Sequence, residues 1–323
     1  MPVRGIALTE NQPLSDQLPF IRYAADLGYD SAWTNETRSR DGFMTCQARA
    51  AAAPALVTGI GVIPVLHRLP VAVAAQTATL AELTGGKFIL GVGVASLEGY
   101  RRAYGIQAKS ALGLMRDYIA ALRGYLAGEQ VEVQSEAFAV HGDRLDVRPR
   151  PEPAPIYLAA LGPRMQRLAG EISDGVFLNW NTPESVRQSR ELVMAGAQAA
   201  GRDAGRVAIA GYVRVSVDDD REAARAAMAA AAFGYAMIPS YRQHFENMGF
   251  KATTDQLAQQ PAEERFTGGD EAALQAVSVY GTADEVRQRL PGMLAAYDHP
   301  IIRIVPAHPT PESIRAVIAA CAP

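Results

Sequence analysis

The sequence predicts an α/β protein folded as a (β/α)8 TIM barrel. Three observations predict it. Short apolar runs alternate with longer stretches of helical period, the pattern of repeated βα units around a parallel sheet. Eight such runs can be counted, nearly all followed directly by a helical stretch. The length of 323 residues falls within the range such barrels span, and barrel sites lie at the C-terminal ends of the strands.

The units follow in order. VRGIAL (3–8) precedes residues 14–27, where Leu18, Ile21, Tyr23, Ala24 and Leu27 form a helical stripe ended by Gly28. SAWT (31–34) precedes a helix over 43–53 that Pro54 stops. LVTGIGVI (56–63) leads to a helix over 72–83, and KFILGVGV (87–94) to one over 112–126. QVEVQSEAFAVHGDRLDV then alternates with period two around a Gly-Asp pair, which predicts a hairpin-like excursion at about 128–150. PIYLAAL (155–161), GVFLNW (175–180) and RVAIAGYVRVSV (206–217) resume the repeat, with helices over 164–172, 183–200 and 221–235. An insertion at about 239–280 comes before the last unit. In GTADEVRQRLPGML (281–294), Thr282 with Glu285 three residues on predicts a capping box. IIRIVPA (301–307) and a helix over 312–321 close the chain. No linker divides it, so a single domain over 1–323 is expected.

A doubly wound open sheet is the competing architecture, because GVGVAS resembles part of a dinucleotide fingerprint. It lacks the third glycine and follows the fourth strand rather than the first.

Composition excludes several classes. Net charge is −3, and no run of five like charges occurs, so no nucleic-acid footprint or polybasic membrane patch is evident. No apolar stretch reaches the length of a membrane span. Cys46 and Cys321 stand apart without nearby His or Cys at metal-ligand spacing, which fits reduced structural thiols and a cytoplasmic protein. The 28 arginines against three lysines identify no ligand.

Two glycine pairs carry the first functional signal. VTGIGVIP (57–64) and ILGVGVAS (89–96) interrupt buried strands with glycine, which weakens a strand unless a bulge forms or something approaches the backbone closely. Gly61 and Gly93 fall near the ends of the third and fourth strands. Either they relieve packing inside the barrel, or they leave a backbone-walled slot for a planar ring. At the fifth strand end Ala160 and Leu161 precede Gly162 as N-cap and Pro163 as first helical residue. Helix-start amides and the Arg164 guanidinium there suit a phosphate, although an ordinary loop with a solvated arginine reads the same way.

These residues resemble the luciferase-like flavin and deazaflavin oxidoreductases, most closely the branch similar to methylenetetrahydromethanopterin reductase. The carrying motifs are SAWTNETRSRD (31–41), TGIGVIPVLHRLPVAVAAQTATLAELTGGKFILGVGVAS (58–96), YGI (104–106) and LGPRMQRLAGEISDGVFLNW (161–180). The resemblance implies a TIM barrel whose third strand bulges at Gly61-Val62, often through a cis peptide. It implies coenzyme F420 as cofactor, with FMN as the alternative, held by ring-edge contacts near Asn35 and Val94 and phosphate contacts at Gly162, Pro163 and Arg164. It also implies a homodimer.

A reduced deazaflavin offers a hydride, so the protein must present the ring to a small organic substrate and supply a proton donor. Glu36, after strand two, and His67, after strand three, are the candidate catalytic residues; Glu36 is also readable as a solvated loop glutamate, and His67 as a residue that caps the following helix region or binds a loop carbonyl. Asp41 follows Arg38 and Arg40 and reads as their salt-bridge partner. Asn179, Trp180 and Tyr212, on strands six and seven, are candidate substrate contacts, with a core role open for the tryptophan. The segment 239–280 is a candidate lid. Where methanogen-type reductases tend to carry a carboxylate in strand one and a histidine after strand two, this chain has Ala7 and Glu36, which speaks against a methylene-pterin substrate. An FMN-dependent monooxygenase and a non-catalytic cofactor-binding protein are the alternative functions.

Overall fold

Among the described residues eleven strands carry the architecture: β1 (Gly5–Ala7), β2 (Ser31–Thr34), β3 (Val57–Pro64), β4 (Phe88–Gly93), β5 (Val131–Gln134), β6 (Ala139–Asp143), β7 (Ile156–Ala159), β8 (Gly175–Asn179), β9 (Ala208–Val217), β10 (Ser278–Gly281) and β11 (His299–Ile304). The computed structural model describes residues 4–10, 12–146, 152–260 and 271–323. Pairing runs β9-β11-β1-β2-β3-β4-β7-β8 and returns from β8 to β9, which makes the eight-stranded ring of a (β/α)8 barrel. The strands read as unbroken buried runs, as expected of a parallel sheet covered on both faces: all six residues of β4 and nine of the ten in β9 are buried.

Three differences from the sequence expectation have local causes. The hairpin β5–β6 turns at Ser135–Phe138, where the Ser135 amide donates to Phe138 O (3.0 Å), and not at Gly142-Asp143. Gly142, with φ +64°, lies inside β6 opposite the register shift at Val131/Glu132. The helix Leu97–Tyr104 escapes the sequence reading because only Tyr100 of its eight residues is buried. The insertion holds the helices Pro239–Asn247, Lys251–Gln259 and Glu271–Val277 and then β10, which pairs parallel with the end of β9. Residues 147–150 of the excursion and 261–270 of the insertion lie outside the described residues. Thr282 and Glu285 form the expected capping box at the start of the helix Ala283–Leu294.

The chain packs as two compact units, one of residues 1–31, 178–191 and 209–323, the other of 32–177 and 192–208. In the first, Trp180, Met228, Phe233, Phe245 and Tyr280 centre the core. In the second, the Trp33 ring lies 6.2 Å from that of Tyr157 and 5.4 Å from that of Phe177, and the buried Arg49 donates to Trp33 O. Cys46 and Cys321 are both buried, and burial pushes each thiol up to about 12.

The strand glycines of the second unit are packing devices. A Cβ on Gly59 would lie 2.5 Å from the Trp33 ring, and one on Gly91 would lie 2.1 Å from Ile60 O. A Cβ on Gly93 would lie 3.0 Å from both Val62 Cγ2 and Ala159 Cβ. Gly93 is therefore not an open wall: its missing side chain admits the Val62 side chain, which corrects the slot reading there. β3 does bulge as the resemblance implies. Its register against β4 shifts between Ile60 and Ile63, and the Gly61-Val62 peptide is cis.

Candidate active site

In the second unit the residues following β2, β3, β4 and β7 all lie at C-terminal strand ends, and these four strands are consecutive neighbours in the sheet. The bulge and the β2 end are tied together, because the Glu36 amide donates to Val62 O (3.3 Å). The Glu36 side chain turns inward and is nearly buried. Its Oε2 accepts from Arg68 Nη2 (2.9 Å) and from the Gly42 amide (3.3 Å), and its Oε1 accepts from Arg68 Nε (3.2 Å). His67 Nδ1 stands 3.5 Å from the same Oε1.

Every polar neighbour of the Glu36 carboxylate is a donor. A carboxylate gripped by a guanidinium acts as an acceptor, which suits Glu36 to holding Arg68 and the Gly42 amide in place. With Nδ1 directed at the carboxylate, Nε2 is the ring nitrogen left to face a ligand. The His67 ring stands edge-on to Tyr100, centroids 5.3 Å apart. A cleft of about 240 Å³ opens here, lined by Glu36, Pro64, His67, Ala95, Ser96 and Tyr100. Ala95 holds φ +57° at its edge, a backbone conformation that non-glycine residues adopt only when surroundings impose it. A second cleft of about 220 Å³ shares His67 and is lined by Val65, Leu69, Leu114, Tyr118 and Phe138.

Arg68 is the residue that sequence reasoning missed. Besides Glu36 it binds Asp41 Oδ2 (2.7 Å) and Gln76 Oε1 (3.0 Å), while Tyr118 Oη donates to its carbonyl (2.9 Å). Asp41 accordingly pairs with Arg68 rather than with Arg38 or Arg40, and its Oδ1 caps the helix Gly42–Ala52 by accepting from the Met44 amide (2.9 Å). Burial opposes ionisation of Asp41, but the Arg68 hydrogen bond and charge hold its carboxyl below the ordinary value. The only signal available in the sequence was the position of Arg68 next to His67.

The expected phosphate seat is narrower than the sequence suggested. Gly162 is the N-cap and Pro163 the first helical residue, as expected, and the space above the Gly162 Cα is open. Pro163 has no N–H, and the Met165 and Gln166 amides already donate to Gly162 O (3.1 and 3.0 Å). Arg164 is exposed and has no hydrogen-bond or ion-pair partner among the described residues. An anion here would rest on Arg164. Ala160 is buried and donates its amide to Phe177 O (3.2 Å), while Leu161, Val94 and Asn35 are half-buried.

The three candidate substrate contacts lie in the first unit. Trp180 is fully buried beneath the helices Arg221–Ala236 and Pro239–Asn247, so its core role holds and it does not itself wall an open pocket. Tyr212 is also buried, with the guanidinium of Arg303 5.5 Å from its ring centre. Asn179 is half-buried; its Nδ2 donates to Tyr241 Oη (2.7 Å) and its Oδ1 accepts from Arg214 Nη1 (2.5 Å).

Similarity to known proteins agrees with this geometry. The chain is 30% identical over 296 residues to a 5,10-methylenetetrahydromethanopterin reductase of Methanolobus tindarius, covering 90% of each. A solved coenzyme F420-dependent tetrahydromethanopterin reductase from Methanopyrus kandleri shares the fold at a TM-score of 0.80 and 22% identity, covering 99% of this chain and 97% of that one. So does an F420-dependent secondary alcohol dehydrogenase solved with an F420–acetone adduct, at a TM-score of 0.80 and 18% identity over 98% and 97% of the two chains. The family model described as luciferase-like monooxygenase matches residues 1–297, and the chain belongs to that family.

Proposed function

We propose that this protein is a coenzyme F420-dependent oxidoreductase that moves a hydride between the deazaflavin and a small organic substrate. The observation that carries the reading is the cleft at the ends of β2, β3 and β4, where Arg68 grips the Glu36 carboxylate and His67 Nδ1 stands 3.5 Å from it. Support for the cofactor comes from the two fold relatives whose names include F420, and from an exposed, unpartnered Arg164 at a helix start.

When bound, F420 supplies the hydride chemistry. The chain's residues would do the rest. The bulged Gly61-Val62 segment, Val94 and Asn35 would border the ring, and Arg164 would hold the phosphate beside Ala160, Leu161, Gly162 and Pro163. Glu36 would fix the His67 ring, and His67 Nε2 would give or take the proton at the substrate atom whose charge changes. Purified apoprotein titrated with F420 should change the chromophore's fluorescence, and Arg164→Ala should weaken binding about tenfold, the loss of one charge-assisted contact of about 1.4 kcal/mol. Tight FMN binding with no F420 response would instead make it a flavin monooxygenase.

The protein would act as a cytoplasmic homodimer. No described helix is long and apolar enough to cross a membrane. Met44, Leu69 and Leu83 are 61–66% exposed on and beside the two contacting helices Gly42–Ala52 and Pro70–Leu83, an apolar face suited to a second copy. Sedimentation should give twice the 34.5 kDa chain mass; Met44→Glu with Leu83→Glu should give the monomer.

A further inference from the structure

Two arginines stand abreast in the first unit, and only one has an acid. Arg214 on β9 and Arg303 on β11 are register partners. Arg303 is gripped by Glu10, Nη1 to Oε1 at 3.0 Å and Nη2 to Oε2 at 2.6 Å. Arg214 is only 4% exposed, yet no carboxylate among the described residues lies within ion-pair distance of it. Burial accordingly depresses its pKa.

The Arg214 guanidinium lies over aromatic rings. Its centre lies 3.9 Å from the Trp180 ring centre, 5.0 Å from that of Tyr235 and 5.9 Å from that of Tyr212. Rings attract a cation through its faces but accept little from the N–H groups along its edge. Among the described residues, the one hydrogen bond from the Arg214 N–H groups runs from Nη1 to the neutral Asn179 Oδ1.

Further donors gather at the same place. Trp180 Nε1 is buried without an acceptor among the described residues. Tyr241 Oη accepts from Asn179 Nδ2, so its own hydrogen is free to be donated. Trp180 holds φ +57°, a strained conformation of the kind kept at ligand-facing positions. Tyr235 and Tyr241 are half-buried and give the cluster an edge open to approach. Buried charges in proteins are normally paired, and this cluster of two cations, one carboxylate and spare donors is one anion short.

We propose that Arg214, with Asn179 and Tyr241, is the seat of an oxyanion carried by the substrate, a carboxylate or a phosphate. The substrate class is thus an organic anion. Attributing the anion to the substrate rests on the deazaflavin reading; binding of an anion to the apoprotein does not.

Calorimetry and thermal melts of the apoprotein with sodium benzoate, inorganic phosphate and neutral benzamide test it. At least one of the two anions should bind and raise Tm while benzamide does neither, and Arg214→Gln should weaken that anion at least tenfold. Asn179→Asp, which sets a carboxylate against the guanidinium, should raise Tm and abolish the anion response. It also decides the matter if Arg214→Gln fails to fold. No response to either anion in the wild type, or an unchanged response in Asn179→Asp, would overturn the seat. Displacement of the bound anion by F420 would assign the seat to the cofactor's phosphate and overturn the substrate assignment. An absent F420 response with anion binding intact would sink the cofactor reading and leave the seat standing.

Discussion

Gly91→Ala should cost about 3 kcal/mol or more, or abolish folding, although it adds one methyl group. The added carbon would fall 2.1 Å from Ile60 O and 2.9 Å from Val62 Cγ1. A carbonyl in a parallel ladder cannot retreat without breaking the register that brings β3 beside β4, and β4 is buried throughout. Urea unfolding read by circular dichroism measures the loss. Gly162→Ala is the control, because nothing lies within 4 Å of its would-be Cβ. It should stay within about 1 kcal/mol of wild type, the usual span for a helix N-cap change. Equal stability of the two variants would show that the strands do not approach this closely.

Arg68→Met should be nearly as damaging and should strike activity as well. It strands the Glu36 carboxylate, whose side chain is 3% exposed, and removing one member of a buried pair costs about 3 kcal/mol or more. Adding Glu36→Gln to Arg68→Met should restore part of the stability, since the stranded charge is gone; no recovery in this double-mutant cycle would mean the two do not interact. Activity should not return with it, because His67 would still lack its anchor. The pH dependence has a definite sign. Asp41 ionises more readily in the folded state than its ordinary value of 3.8, so its contribution is present above that pH and is lost as acid carries the carboxyl through its lower folded value. Arg68→Met should remove this acid limb from a stability–pH curve.

The alternation of apolar runs with helical stretches was enough to read the ring, because the parallel strands are buried on both faces and most of the following helices show an apolar stripe. β10 was hidden since SVYG is only four residues long and follows the helix Glu271–Val277 without a turn signal. The meeting of Glu36 with His67 was legible because the two follow adjacent strands. Its wiring was not: the choice of Arg68 over Arg38 or Arg40 depends on which way the chain leaves β3. Gly93 misled for a related reason, since sequence does not say whether a missing side chain faces a ligand or a neighbouring valine. Arg214 sits in an otherwise apolar strand, where nothing in the pattern distinguishes an unpaired cation from a paired one.

Trp33 and Trp180 are the only tryptophans, both are sealed from solvent, and each belongs to a different compact unit. The protein therefore carries a separate optical reporter in each half: single-tryptophan versions would show by emission wavelength whether the halves melt at one temperature or in succession.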